Sequence, residues 1–575
     1  MQQILAKKAL LQPNHRFNDL YGLVRDPLWL RIALESILLN DGAKTSGTDG
    51  ITEEHLRGEE AQASLAKGIA QQLRDNTYRP TPVRRVYIPK QNGKLRPLGI
   101  PTIADRMVQE TLRMALEPIW ESCFLPCSYG FRPGRSTMDA MKQLQVLTNK
   151  SHRYYWVVEG DIKGCFDNIP HEKLLQVLAE KIADQRLLSL IRRMLAAGYE
   201  EEGRVHTPNC GTPQGGVVSP LLANIYLHKM DEEWHRRYSI GDQNARHKVR
   251  KNGGGLVQLI RYADDFLVLT NGERAQAEAL KEEFRQILDG LGLELSTDKT
   301  LVTHVNDGID FLGFHCQREP VPHRDGGYGL YITPTERNCQ RLRDKIRGIL
   351  ATTNEDAVNK IRAVNMVLRG WANYYRHVQS SRARKQLDHW VWWAMLAWFN
   401  RKHGRKLGRR ELYDLYIGRD RKGWRNWTSQ GISVLIMSRD VGYTMYMREP
   451  AQHPYLNQAT SLLIQDEEPL SADSWRGTSS QNRYAIARLQ RAKEVGYKCE
   501  ACGGTFPLAE LDAHHPRGKE SKGTIHEIQI LCRECHKQTP SYGWKGAFER
   551  TGELGAVKVA RPVRRRVRND QKAKA

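Results

Sequence analysis

Two apolar runs, Leu256 to Ile260 and Phe266 to Thr270, flank the string Tyr262-Ala263-Asp264-Asp265. Short runs of branched and aromatic residues around a tight polar turn read as a β-hairpin, which puts two adjacent carboxylates at a strand end. A second short apolar strand, Trp156-Val157-Val158, ends at Asp161, so a third carboxylate sits at a strand end as well. A hard divalent cation takes oxygen ligands and keeps several waters, so two or three Asp residues on rigid strand ends are enough to hold it. A Tyr-x-Asp-Asp string with a small x arises by accident in roughly one chain of this length in a few hundred. Its companions therefore decide what it means.

The chain has 575 residues, too many for one ordinary core, and three or four domains are expected. A formal net charge of +23 attracts polyanions from a distance and makes nucleic acid the first partner to consider. No stretch reaches the roughly 18 to 20 apolar residues that span a bilayer, and the longest candidate, Val391 to Phe399, reads as a buried helix, so no membrane partner is expected. Met1 to Phe17 carries neither a long apolar core nor a small-residue cleavage site, which points to a cytoplasmic address; a bacterial source is the simplest expectation. Six cysteines are scattered between Cys123 and Cys339, and four fall in two tight pairs near the C-terminus. That distribution predicts reduced thiols and one metal site rather than a disulfide framework.

Helical spacing runs from about Asn18 to Leu73, and Val86 to Ile100 reads as a hairpin that carries cations near its tip. After Leu330 the texture is helical and basic, with Arg341, Arg343, Lys345 and Arg347 followed by the aromatic run Trp371 to Tyr375. Arg405 to Trp427 reads as loop-like and basic, Ala472 to Asn482 as a linker, and Tyr484 to Gly496 as a helix. The last nineteen residues hold eight Lys or Arg against one Asp, a composition that favours an unfolded arm.

The hairpin string has ordered companions. Asp161-Ile162-Lys163-Gly164-Cys165-Phe166 precedes it, and Gly211-Thr212-Pro213-Gln214-Gly215-Gly216 lies between the two acidic sites. Ile88-Pro89-Lys90, Lys94-Leu95-Arg96-Pro97, Ser128-Tyr129-Gly130-Phe131-Arg132-Pro133, Leu293 to Thr300 and Phe311-Leu312-Gly313-Phe314 complete the series. From Tyr78 to Phe314 this order resembles reverse transcriptases, specifically the group II intron-encoded branch, and Arg369 to Tyr375 resembles the maturase, or thumb, region of the same family. The resemblance implies an α+β multidomain chain: a right-hand polymerase of fingers and palm with a helical thumb/maturase domain. It also implies catalytic carboxylates Asp161, Asp264 and Asp265 on Mg²⁺, with the Ile162 carbonyl as a further ligand. Lys90 and Arg96 would hold the incoming triphosphate, Phe166 would crowd a ribose 2′-hydroxyl, and Gln214 would lie beside the templating pair. Deoxynucleotides should be preferred.

Cys499-x-x-Cys502 and Cys532-x-x-Cys535 have the spacing of a closed tetrahedral Zn²⁺ site that contributes directly to folding. With His514-His515 between the pairs and His536 after them, the region resembles the HNH nucleases of group II intron proteins, a small zinc-bound ββα-metal domain. The resemblance makes His515 the general base and His514 with His536 the ligands of a catalytic Mg²⁺. One departure stands out: no Asn occurs between His515 and His536, and Glu527 occupies its expected neighbourhood. A zinc ribbon that only grips DNA is the alternative.

The expected organisation is an N-terminal helical extension (1–77), fingers and palm (78–330), thumb/maturase (331–405), a basic DNA-binding region and linker (406–483), an HNH domain (484–548) and a basic tail (549–575). The function that follows is copying RNA into DNA, binding group II intron RNA to assist splicing, and nicking a double-stranded DNA target to prime synthesis from dNTPs. Two other readings remain: a splicing scaffold whose polymerase is idle, and a reverse transcriptase recruited to another task.

Overall fold

The structure is a computed structural model that describes residues 1–89, 95–207, 209–212, 215–240, 243–252, 254–320, 327–404, 407–420, 422–446, 453–456, 491–492, 495–505, 511–514, 529–532 and 535. It divides into two compact units, residues 1–457 and 458–575.

In the first unit the helix Ile103–Glu121 is buried on nearly every side. Helices Gln2–Leu11, Pro27–Leu38 and Glu59–Arg74 contribute apolar residues to the same core. A helix surrounded on all sides must neutralise its polar groups internally, and this one does. Thr102 caps its start by accepting from the Asp105 amide at 3.1 Å, a bond of the kind worth about 1 kcal/mol. Arg113 bonds Glu110 and Glu117 at 2.6 Å each, and Arg132 grips Glu121 with two guanidinium nitrogens at 2.9 Å. These pairs fix the helix without leaving a bare charge in the interior, which would cost about 3–5 kcal/mol.

Two four-stranded sheets lie beside that helical core. One is formed by β1 (Val83–Pro89), β2 (Leu95–Ile100), β4 (Tyr199–Glu201) and β5 (Arg204–His206) in the order β2-β1-β4-β5. The expected hairpin is present, with Ile88 opposite Arg96. The other is formed by β3 (Trp156–Asp161), β6 (Val257–Tyr262), β7 (Asp265–Thr270) and β8 (Leu301–His304) in the order β6-β7-β3-β8. Strand β7 is buried from Phe266 onward, and Phe266 stacks on Phe284 of the helix Arg274–Leu291 with centroids 4.1 Å apart. Strands buried on both faces read as continuous apolar runs, which is why the hairpin was visible in the sequence.

A three-stranded sheet, β9 (Ile309–Phe311), β10 (Phe314–Pro320) and β11 (Tyr328–Pro334), leads into the helices Glu336–Ile349, Ala357–Tyr374 and Ser381–Lys402. The turn at Leu312 and Gly313 is held from the helical side. Tyr374 Oη donates to the Leu312 carbonyl at 3.0 Å and Tyr375 Oη to the Gly313 carbonyl at 2.9 Å. The aromatic run Trp371 to Tyr375 is thus partly a joint: Tyr375 is buried, while Tyr374 stays exposed.

Arg405 to Trp427 departs from the loop-like expectation. It contains the helix Arg409–Tyr416 and strands β12 (Ile417–Arg419) and β13 (Arg425–Ser429), the latter paired to β14 (Ile432–Ser433). Leu412 and Trp427 are fully buried in the core of the preceding helices. The apolar positions are few and separated by Arg and Lys, whose heads stay in water while their stems cover the core, so the basic background hid them. The segment then returns to the start of the unit, where Tyr446 Oη donates to Asp139 at 2.8 Å and His453 meets Ser122 at 3.0 Å. Among the described residues, no helix is long and apolar enough to cross a membrane.

In the second unit β15 (Leu511–His514) pairs antiparallel with β16 (Gln529–Cys532), Leu511 opposite Cys532 and His514 opposite Gln529. The expected linker, the basic tail and most of the expected helix Tyr484 to Gly496 lie outside the described residues.

Burial of Trp427 yields a direct test of the packed reading. Its indole donates to the Trp392 carbonyl at 3.1 Å and its ring packs 4.9 Å from that of Phe399. Trp427→Ala is expected to lower stability by about 3–5 kcal/mol in thermal unfolding; a loop position would cost under about 0.5 kcal/mol.

Candidate active site

Strand register assembles the acidic cluster. Asp161 ends β3 and stands directly opposite Asp265, the first residue of β7, while Tyr262 closes the β6–β7 hairpin against that same Asp265. The two residues left in the loop are Ala263 and Asp264, so all three carboxylates converge on one end of the sheet. Like charges placed directly opposite each other on a sheet repel, and here they are also partly buried. Burial raises the Asp264 pKa, the Asp161 charge adds to it, and Arg96 and Lys299 oppose it. Asp265 is pushed up to about 7, first by burial and then by the charges of Asp264 and Asp161. Asp264 and Asp265 thus resist ionisation, and a divalent cation is the kind of charge that could relieve the repulsion.

The turn is tight at a cost. Ala263 has φ 58°, a left-handed conformation that costs an ordinary residue roughly 1–2 kcal/mol. The Arg261 guanidinium, fully buried beneath it, uses every N–H it has. Nε and Nη2 bind the two Asp231 oxygens at 2.8 and 2.5 Å, and Nη2 also reaches Ser128 Oγ at 2.8 Å. Nη1 donates to Asn224 Oδ1 at 2.9 Å and to the Ala263 carbonyl at 3.0 Å. One cation therefore ties the strained turn to the helix Ser219–Tyr238 and to the 128–132 segment. Sequence reading missed Arg261, Asp231 and Asn224; the available signal was a cation inside an otherwise apolar strand.

Lys299, present in a quoted motif but given no role there, donates to Asp161 Oδ2 at 2.6 Å. The Thr297–Lys299 turn is placed by two backbone bonds across the sheet end, Ser296 N to the Asp161 carbonyl and Lys163 N to the Glu294 carbonyl, both 2.9 Å. Ile162 is buried and bridges Leu295. Phe166 lies on the short helix Cys165–Asn168, half buried, and its ring meets that of Phe131 edge to face at 6.3 Å. Its carbonyl accepts from Thr212 N at 2.6 Å, and Val217 N donates to Gln109 Oε1 at 2.7 Å. The loop that carries Gln214 is therefore anchored at one end on Phe166 and at the other on the helix Ile103–Glu121. Gln214 itself, Lys90, His515 and His536 lie outside the described residues, as does the His514 side chain. Arg96, on β2, acts on Asp264 through its charge.

In the second unit the sulfur atoms of Cys499, Cys502, Cys532 and Cys535 all lie within 4.8 Å of one another. The hairpin brings Cys532 to Cys499, whose sulfur accepts from the Cys532 amide at 3.2 Å. Four thiols so placed form a set that one metal ion can bridge.

Because Asp265 titrates higher when folded than its usual 3.8, its protonated form favours the fold and its ionised form opposes it. That contribution is intact below about pH 4 and is lost as pH rises through about 7. In metal-free buffer, Asp265→Asn should raise stability by roughly 2–4 kcal/mol at pH 8, and the gain should shrink by more than half at pH 5. A pH-independent gain in thermal unfolding contradicts the repulsive cluster.

With this geometry in place, the chain's likeness to known proteins is specific. Residues 88–316 match the model of the reverse transcriptase (RNA-dependent DNA polymerase) family, and residues 339–416 match the group II intron maturase-specific domain. Protein YkfC of Escherichia coli (strain K12) is 42% identical over 341 residues, which cover 56% of this chain and 88% of that protein. The group II intron-encoded protein LtrA of Lactococcus lactis subsp. cremoris is 35% identical over 52% of this chain and 56% of its own length. A 91 kDa protein in the cob intron of Schizosaccharomyces pombe is 32% identical over 88% of this chain and 67% of its own. With its carboxylate cluster inside one matched region and its helical core overlapping the other, the chain belongs to the group II intron-encoded reverse transcriptase and maturase family.

Proposed function

We propose that this chain copies RNA into DNA, binds its intron RNA to assist splicing, and nicks a double-stranded DNA target whose freed end primes the copy. The observation that carries the polymerase is the register that sets Asp161 against Asp265 beside Asp264. Asp161, Asp264, Asp265 and the Ile162 carbonyl would hold Mg²⁺, which lowers the pKa of a primer 3′-hydroxyl and balances the charge of departing pyrophosphate. The residues themselves then do the positioning. Arg96 and Lys90 draw the triphosphate of a dNTP toward the sheet end, Phe166 presses on the sugar, and Gln214 borders the templating pair. Rigid strand ends keep the reacting groups aligned, and that alignment supplies much of the rate.

The maturase match and the net charge of +23 support intron RNA as a partner, held by phosphate neutralisation and stacking on exposed rings such as Tyr374 and Trp393. For the second unit, the four clustered cysteines support a structural Zn²⁺. His515 is the general base in this reading, and His514 with His536 hold a further divalent ion on the phosphodiester. The missing Asn favours a competing reading, a zinc ribbon that binds DNA without cutting it.

Asp264→Ala combined with Asp265→Ala should abolish extension of a DNA primer on RNA, a loss of at least about 10³-fold, while RNA binding and splicing assistance persist. Extension retained by the double variant would falsify the site. Separately, His515→Ala should eliminate nicking of a target duplex without altering primer extension. No nicking by either favours the zinc ribbon, and equal nicking by wild type and variant removes His515 as the base and returns this unit to the ribbon reading, with the cut made elsewhere.

A further inference from the structure

We propose that Phe131 is a specificity-determining residue that buttresses Phe166 edge-on, making the wall against the 2′ position of the incoming nucleotide rigid. The inference rests on the reading of Phe166 as the residue that crowds the sugar.

Phe131 combines features that ordinary packing does not explain. Its φ is 55°, a left-handed conformation disfavoured for a bulky side chain. The residue is 55% exposed, so core burial does not compensate for the conformation. The residues on either side, in contrast, are clamped. Tyr129 N donates to the Arg261 carbonyl at 2.9 Å, and the Gly130 carbonyl accepts from Asn224 Nδ2 at 2.7 Å. A Cβ on Gly130 would come within 2.5 Å of the Ala263 amide nitrogen, so only glycine fits against the acidic turn. On the other side Arg132 is buried against Glu121 and donates to the Leu125 and Ser128 carbonyls at 2.9 Å. Strained residues persist where their surroundings over-determine them, and they cluster where ligands bind.

What this clamped loop presents is an aromatic ring, at 83° to that of Phe166 with 6.3 Å between centroids. The two rings line one recess with Cys165, Asn224, Ala263 and Asp264. Phe166 sits on a four-residue helix headed by left-handed Gly164, and its ring packs against the apolar core while staying only partly buried, which leaves its outer edge unsupported by the core. Rejecting a ribonucleotide means refusing space to one hydroxyl, and a ring free to swing yields that space. The edge-on contact with Phe131 removes the freedom. Arg261 thereby joins both tasks: the network that fixes the carboxylate turn also holds the buttress.

The test is Phe131→Gly, because glycine adopts a φ of 55° without strain and the substitution removes the ring while leaving the backbone at ease. Single-nucleotide incorporation on an RNA template, measured as kcat/KM for a dNTP and for the matching rNTP, gives a discrimination ratio. That ratio is expected to fall about 3- to 10-fold, the worth of one edge-to-face aromatic pair, and Phe131→Tyr is expected to restore it. Phe166→Val should lower the ratio by itself, and adding Phe131→Gly to it should lower the ratio no further. If Phe131→Gly reduces both substrates equally or leaves the ratio unchanged while Phe166→Val lowers it, the buttress is overturned and the sugar-gate reading stands. If Phe166→Val also leaves the ratio unchanged, the gate reading itself is overturned.

Discussion

Three carboxylates forced together at one sheet end are the constraint around which the first unit is organised. Strand pairing puts Asp161 opposite Asp265, and a two-residue loop adds Asp264. Nothing in the local chain favours this: the charges repel, the loop is left-handed at Ala263, and the carboxylates are partly buried. The compensation lies underneath, in a guanidinium whose five N–H groups are all bonded and whose charge is matched by buried Asp231. Breaking such a pair by removing one partner costs about 3–5 kcal/mol, so the turn is held by an interaction that the fold cannot give up cheaply. Lys299 adds a cation at the open side, on Asp161.

The same network extends outward. Through Asn224 and the Arg261 backbone it fixes Tyr129 and Gly130, and the Phe between Gly130 and Arg132 faces Phe166. The acidic turn and the loop that presents Phe131 therefore share one support rather than two independent ones. A separate joint, the Leu312–Gly313 turn held by Tyr374 and Tyr375, ties the sheet of β9, β10 and β11 to the helical region matched by the maturase domain.

Much of this was legible in the sequence because the signals are local. Period and composition gave the β6–β7 hairpin, a strand ending at Asp161, and a two-pair cysteine site whose sulfurs the second unit does gather. What stayed hidden depends on distant partners. Arg261 reads as a stray cation until Asp231 and Asn224 arrive from one helix and Ser128 from another segment, and Lys299 gains meaning only when its turn bonds back to Asp161. Trp427 and Leu412 were hidden by the Arg and Lys around them, whose charged heads can stay in water while these two apolar side chains are buried.

The central claim is that the sheet-end carboxylates work through divalent cations to extend DNA on RNA. Its most direct measurement is extension of a DNA primer annealed to an RNA template by the intact chain across a Mg²⁺ titration. The account predicts no extension in chelator, extension that rises with Mg²⁺, and a dNTP requirement. Extension that proceeds undiminished without divalent cations, or none at any Mg²⁺ concentration with a folded chain, would contradict it.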